Sequence, residues 1–383
     1  MKEYIEYFIK NILNKRKNAY LNTLLKHIFF EPVENKKPKD ITNITFVIPG
    51  MRAHNGGLTS ILRLGTYLAE FGYVIKYICY NEQTIEEMEK NASINLENYK
   101  GSFLDKSYLL KIDSDIVVAT YWESVYYMRD MKGYKMYFIQ DYEPLFFIYG
   151  EKYILAQKTY ELGYHMVSLG KWNKFMIEKN CVVNSKIDCI DFPYEKSEYS
   201  AIERDFDSYK NKKELDIAVY IKFEEKRAPH LVQEILGNII NEFEKQNIKI
   251  NVYYYGADKS MKLKNGINLG KLNKDELINL YMKCHFGMVA SLTNISLVPF
   301  EMIACKLPVV EFKEGTFKYF FDQEDAILTS FDWSDLYEKL SYYLINTDAL
   351  KNMTEGATHK LEKLSWKSSA RQFEAILKQI IDK

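Results

Sequence analysis

Gly287-Met-Val-Ala-Ser-Leu-Thr-Asn-Ile-Ser-Leu-Val-Pro-Phe-Glu-Met-Ile-Ala-Cys-Lys-Leu-Pro-Val-Val310 is the stretch on which the fold turns. It reads as strand, loop, helix and second strand. Residues 286–290 form a short apolar run, as expected of a strand buried in a parallel sheet. Residues 291–296 are polar loop. Pro299 is predicted to be the first helical residue, where a missing N–H costs nothing. Glu301 would then lie in the first turn, beside N–H groups with no intrahelical partner. Pro308 stops the helix, and Val309 opens the next strand. A helix N-terminus at the carboxyl end of a parallel strand is a ready anion site. A carboxylate there either accepts hydrogen bonds from a bound hydroxyl or complements the helix dipole.

The same alternation runs outward from this stretch. Residues 44–48 read as a buried strand, followed by the loop Pro49-Gly-Met-Arg-Ala-His-Asn-Gly-Gly57. Leu58, Ile61, Leu62, Gly65, Leu68 and Ala69 then mark one face of a helix. Gly72 ends it, and residues 74–79 form the next strand. This is a βαβ unit, which implies a parallel sheet. Further strands are predicted at 116–119, 136–139 and 166–168. A second run has strands at 215–221, 250–255, 286–290 and 309–312. The chain therefore reads as α/β with two Rossmann-like domains. Expected boundaries are a helical, basic extension at 1–40, a first domain at 41–205, a second at 206–364, and a terminal helix at 365–383 that crosses back to the first.

Bulk properties narrow the function. The 383 residues suffice for two domains. Lys+Arg and Asp+Glu both number 52, so a general nucleic-acid binder, which would be basic, is excluded. The five cysteines are scattered and form no Cys-x-x-Cys pair, so they read as reduced thiols. No apolar run approaches the ~20 residues that span a bilayer, and the N-terminus is too charged for a signal peptide. A cytoplasmic location is expected. Tyr4, Phe8 and Ile12 recur at helical spacing beside Lys10, Lys15, Arg16 and Lys17. That segment is either an amphipathic helix on an anionic membrane, a helix packed on its own domain, or a mobile arm.

Other constellations sit at strand ends. Gly56 and Gly57 open the first helix, where missing side chains let a ligand approach backbone N–H groups. The alternative is a tight strand–helix turn. The loop is not Gly-x-Gly-x-x-Gly, so a nicotinamide dinucleotide is not expected. Asp141 and Glu143, in Gln140-Asp-Tyr-Glu-Pro144, follow a strand where α/β ligands bind. They either hold an acceptor and take its proton or cap a helix. Asp113-Ser-Asp115 precedes its strand and so lies at the wrong end of the sheet for a metal. The histidines lack metal spacing; His54 and His165 are the two that could approach a site, and His165 is otherwise a strand residue beside the core. No cofactor is expected.

The opening stretch resembles the nucleotide-sugar motif of family 4 glycosyltransferases, which have the GT-B fold of two Rossmann-like domains facing each other across a cleft. Ser291, Pro299, Glu301, Ala304, Pro308, Val309 and Val310 match. The resemblance implies that Glu301 holds the nucleotide ribose. The family's first glutamate, which touches the donor sugar, is replaced here by Thr293. Members carry an Arg and a Lys after the first strand of the second domain, and both bind the diphosphate. Lys222 and Arg227 stand there with the types exchanged. Two fixed cations and a helix N-terminus would stabilise the leaving diphosphate without a metal. Lys271 and Leu272 fall where members cradle the base, and Gly56 and Gly57 where members face donor phosphate or acceptor.

The Gln140–Pro144 string and Tyr164-His-Met-Val-Ser-Leu-Gly-Lys-Trp172 are similar to bacterial rhamnosyltransferases of the WsaF type. That likeness implies transfer of L-rhamnose from dTDP-L-rhamnose to a cell-surface glycan or lipid-linked glycan, and the family 4 resemblance implies retention. Two rivals are a nucleotide-sugar epimerase of GT-B fold and a non-catalytic sugar-nucleotide-binding partner.

Overall fold

A computed structural model describes residues 20–194, 199, 203–210 and 212–381. The basic N-terminal residues 1–19 lie outside it, as does part of the polar stretch at 195–214. The described residues fall into two compact units. One takes in those up to Leu169, Asn173–Ile190 and those from Ala370 onward; the other takes in Gly170–Trp172 and the described part of Asp191–Ser369.

The first unit is built on seven strands: β1 Asn43–Ile48, β2 Val74–Cys79, β3 Ser102–Leu104, β4 Ile116–Ala119, β5 Tyr134–Ile139, β6 His165–Leu169 and β7 Ile187–Ile190. They pair in the order β3-β2-β1-β4-β5-β6-β7, every pair parallel. The central strands are buried along almost their whole length, because helices cover both faces of such a sheet. The terminal helix Trp366–Ile381 belongs in part to this unit. Its Phe373 packs edge-on against Phe138 of β5, and its Arg371 guanidinium lies 3.6 Å from the centre of the Phe71 ring.

The second unit has six strands: β8 Glu214–Tyr220, β9 Lys249–Tyr255, β10 Ile267–Asn268, β11 Phe286–Met288, β12 Val309–Phe312 and β13 Ile327–Thr329. Their order is β10-β9-β8-β11-β12-β13, again all parallel. Both sheets reverse winding direction once, between β1 and β4 in the first and between β8 and β11 in the second. In open α/β sheets the crevice at such a reversal is where ligands bind.

Three expectations are corrected. The helix after β11 runs Leu297–Ala304, so Pro299 is its third residue and Glu301 lies in the second turn. No residue of the first turn has an intrahelical N–H partner, so proline fits anywhere within it. The strand itself is shorter than the apolar run, ending at Met288. His165 opens β6 at its amino end, where its Nε2 pairs with Asp188 at 2.7 Å, so it does not approach a strand-end site. Asp115 behaves as expected of a loop residue, accepting the N–H groups of Thr42 and Asn43 at 2.8 Å each.

Candidate functional site

In the second unit, two loops leave the sheet at the reversal point, one after β8 and one after β11. The first closes in a turn at Glu225–Arg227, where Ala228 adopts a left-handed backbone (φ 43°) before helix Pro229–Lys245 begins. That turn carries Arg227 back toward the sheet. Its side chain is buried, and Nη1 donates to the Ala290 carbonyl at 3.0 Å and to Ser291 Oγ at 3.3 Å. The Lys222 ammonium and the Arg227 guanidinium both lie 5.9 Å from the centre of the Tyr220 ring at the end of β8. The structure thus gathers Lys222, Arg227 and Ser291 at one place.

Beneath them lies a residue that the sequence reading missed. Glu311, in the middle of β12, is fully buried. Its carboxylate accepts from Ser291 Oγ at 2.6 Å and from the Ser291 N–H at 3.0 Å. Burial pushes its carboxyl up to about 7, opposed by the Ser291 hydrogen bonds and the charge of Arg227. The Ser291 carbonyl in turn accepts from the N–H (2.8 Å) and hydroxyl of Thr316. A sequence signal existed. A carboxylate inside the apolar run Val309-Val-Glu-Phe312 must have a partner, because an unpaired buried charge is expensive.

The rest of the β11 loop supplies hydroxyls. Thr293 is buried and its Oγ1 makes no hydrogen bond; neither does the buried Ser296 Oγ. Glu301, half-buried, accepts from the Tyr281 hydroxyl at 3.5 Å, and Tyr281 is 2.8 Å from the hydroxyl of Tyr255 at the end of β9. Burial raises both phenols well above their ordinary range, with the Glu301 charge adding to it. They stay protonated and able to donate. Lys271 is exposed on the loop after β10, while Leu272 packs against the cluster that contains Tyr255 and Tyr281.

In the first unit, Gly56 and Gly57 begin helix Gly56–Glu70, capped by Asn55, whose side chain accepts from the Leu58 N–H. A Cβ on Gly56 would meet nothing within 4 Å, and one on Gly57 would make only ordinary contacts with Asn55 and the Gln140 amide. Neither glycine has a positive φ. The protein's own packing does not require them, which fits a backbone left open for a ligand. Asp141 is 9% exposed and accepts from the Tyr142 N–H. Glu143 is 3% exposed, and its Oε2 holds the Trp122 N–H, the first of helix Trp122–Tyr127, at 2.5 Å. Burial raises its carboxyl well above the usual range. That N–H occupies one oxygen of the carboxylate. Among the described residues, no cluster of His, Cys, Asp and Glu has metal-holding geometry, and no helix is long and apolar enough to cross a membrane.

No protein-family profile matches the chain. It is 23% identical over 273 residues to the O-antigen biosynthesis protein RfbC of Myxococcus xanthus, a match covering 66% of this chain and 20% of that protein. The chain therefore spans about a fifth of that relative's length. Among solved structures it resembles sucrose-phosphate synthase from Thermosynechococcus elongatus (TM-score 0.63, 11% identity, 89% of this chain and 99% of that one). It also resembles TarM of S. aureus (0.66, 10%, 88% and 99%). A third is HepE of Anabaena, solved with UDP-glucose (0.64, 10%, 88% and 99%). The two parallel sheets and these likenesses establish the GT-B fold.

Proposed function

We propose that this protein is a glycosyltransferase that moves a sugar from a nucleoside-diphosphate donor, held by the second unit, to a glycan acceptor. The observation that carries the proposal is the gathering of Lys222, Arg227 and Ser291 at the sheet's reversal point. Charge appears on the diphosphate as the bond to the anomeric carbon breaks, and fixed cations meet it without reorganising. Glu301, steadied by Tyr281, takes a sugar hydroxyl of the nucleoside. The Thr293 hydroxyl stands where the resembling family has a donor-sugar glutamate.

In the reaction, the anomeric C–O bond to phosphate breaks and a bond to the acceptor oxygen forms. The acceptor proton passes to the leaving phosphate oxygen, on the same face, so configuration is retained. Asp141 and the open N-terminus at Gly56 and Gly57 would hold the acceptor. The favoured donor is dTDP-L-rhamnose, from the motif likeness. The RfbC similarity supports a surface polysaccharide as product, and the UDP-glucose complex of HepE supports a nucleoside-diphosphate sugar as donor.

We infer that the protein works in the cytoplasm, at the inner face of a membrane. Leu145, Phe146, Ile148 and Tyr149 form an exposed apolar loop, Ile148 at 95%, which is unusual unless something covers it. The Lys152 ammonium lies beside both Phe147 of that loop and Tyr20, where the basic N-terminal stretch joins.

The test is product analysis with dTDP-L-rhamnose and UDP-glucose, each with and without a lipid-linked glycan. Sugar appearing on the glycan supports transfer. A converted donor without acceptor makes the protein an epimerase, and donor binding without any turnover makes it a non-catalytic partner.

A further inference from the structure

The network under the β11 loop has a consequence beyond donor binding, and it rests on the reading of Arg227 as a diphosphate ligand. Arg227 is not aimed by its own turn alone. Its guanidinium is tied to the Ala290 carbonyl and to Ser291 Oγ, and Ser291 is tied at two atoms to Glu311. The chain of contact runs from a buried carboxylate on β12, through one serine, to a cation on the turn after β8. Thr316 fastens the same serine from the far side through its carbonyl. Ser291 thus has its N–H, hydroxyl and carbonyl all committed, and the loop has little freedom there.

The position is also electrically unusual. Glu311 is met by the Ser291 hydroxyl and N–H, by the Phe312 backbone and by the charge of Arg227, and its partner in register on β13 is Leu328. Arg227 alone of these is charged. While Glu311 is ionised, it is the counter-ion of Arg227. A diphosphate arriving at Arg227 would compete with that carboxylate for the same cation, and two anions sharing one cation in a buried setting disfavour each other's charge.

We propose that Glu311 is the positioning residue of the donor site, fixing Ser291 and through it Arg227, and that it takes up a proton when a nucleotide-sugar binds. The proton comes from solvent and joins a carboxylate oxygen; the Ser291 contacts survive, because a neutral carboxyl still accepts from the N–H and hydroxyl. Its position near neutrality is what makes the uptake accessible, since burial already holds the carboxyl at about 7.

The experiment is calorimetric titration of the full chain with dTDP-L-rhamnose and with UDP-glucose. Their doubly esterified diphosphates carry no group that titrates near neutrality. Each titration is run near pH 7 in two buffers of different ionisation enthalpy, then repeated near pH 6 and pH 8. The wild-type protein should show net proton uptake. Its affinity should fall from pH 6 to pH 8, by up to about tenfold for each pKa unit that the bound phosphates add to Glu311. Glu311→Gln keeps the shape and one acceptor oxygen. It should bind donor with little proton uptake and a flat pH profile. Ser291→Ala should weaken donor binding at every pH while the melting transition stays cooperative. Donor binding by wild type without proton uptake, or an unchanged pH profile in Glu311→Gln, would overturn the assignment of Glu311 and leave the donor site standing. Failure of wild type to bind either donor would overturn both.

Discussion

In the proposed donor site Arg227 acts by charge and Glu301 by hydrogen bonding, and each role can be tested alone. Removing Glu301 as Glu301→Ala should cost about 1.5–3 kcal/mol of nucleotide affinity, the range for a charge-assisted hydrogen bond. Binding calorimetry reads this, and unchanged affinity would remove the ribose role. Arg227→Lys keeps the charge but loses the planar fork that reaches Ala290 and Ser291 together. It should lower transfer almost as much as Arg227→Ala, measured as kcat/KM. The sequence singled out both residues, by their place after buried strands and by the family resemblance. Glu311 was not, since its role depends on which loop folds over the middle of β12, and spacing along the chain carries no trace of that. Tyr281 and Tyr255 escaped for a similar reason. In a chain with 31 tyrosines, nothing local marks the two whose hydroxyls meet.

At the level of elements, the strands that were predicted are the buried central ones, and those that were not are the edges. β3, β7, β10 and β13 flank the two sheets, and each of them has three residues or fewer or an interrupted burial pattern. An edge strand buries less and needs fewer apolar residues, so its periodicity is too short to read. The helix after β11 was legible, but its first residue was not. Proline announces a first turn without fixing which residue of that turn it occupies. Pro299→Ala should therefore lose no backbone hydrogen bond, because the third helical N–H has no intrahelical partner, and should cost only the packing of a buried ring, about 1–2 kcal/mol by chemical denaturation. A loss of several kcal/mol would mean that Pro299 does more than start a helix. At the first unit's reversal point, Gly56→Val should leave the melting temperature near that of wild type, as a side chain there meets open space, yet lower transfer by crowding the helix N-terminus.

Across the whole molecule, two buried groups pull stability in opposite directions with pH. His285 accepts the Asp216 N–H and is held neutral by burial, its pKa lowered to about 4. The unfolded chain binds that proton first, so its stabilisation is present above the ordinary value of 6.5 and is lost as pH falls toward 4. Glu311 is the reverse. Its folded value near 7 exceeds the ordinary 4.5, so stability is fullest below 4.5 and is lost as pH rises through 7. Each contribution is worth at most about 3 kcal/mol. The two contributions oppose each other between these limits, and Glu311→Gln should gain stability at pH 8 relative to wild type more than at pH 5. Equal changes at both values would mean that the carboxyl titrates normally.

On the proposed reading, the second unit of this GT-B fold binds a nucleoside diphosphate through Arg227 and its neighbours. The direct measurement is a thermal-shift panel of dTDP, UDP, GDP, ADP and NAD with wild type and Arg227→Ala, in chelator, since a ligand raises the melting temperature only of the state that binds it. The expected result is a selective rise with dTDP that Arg227→Ala abolishes. No rise with any of the diphosphates, or a rise that Arg227→Ala leaves intact, would contradict it.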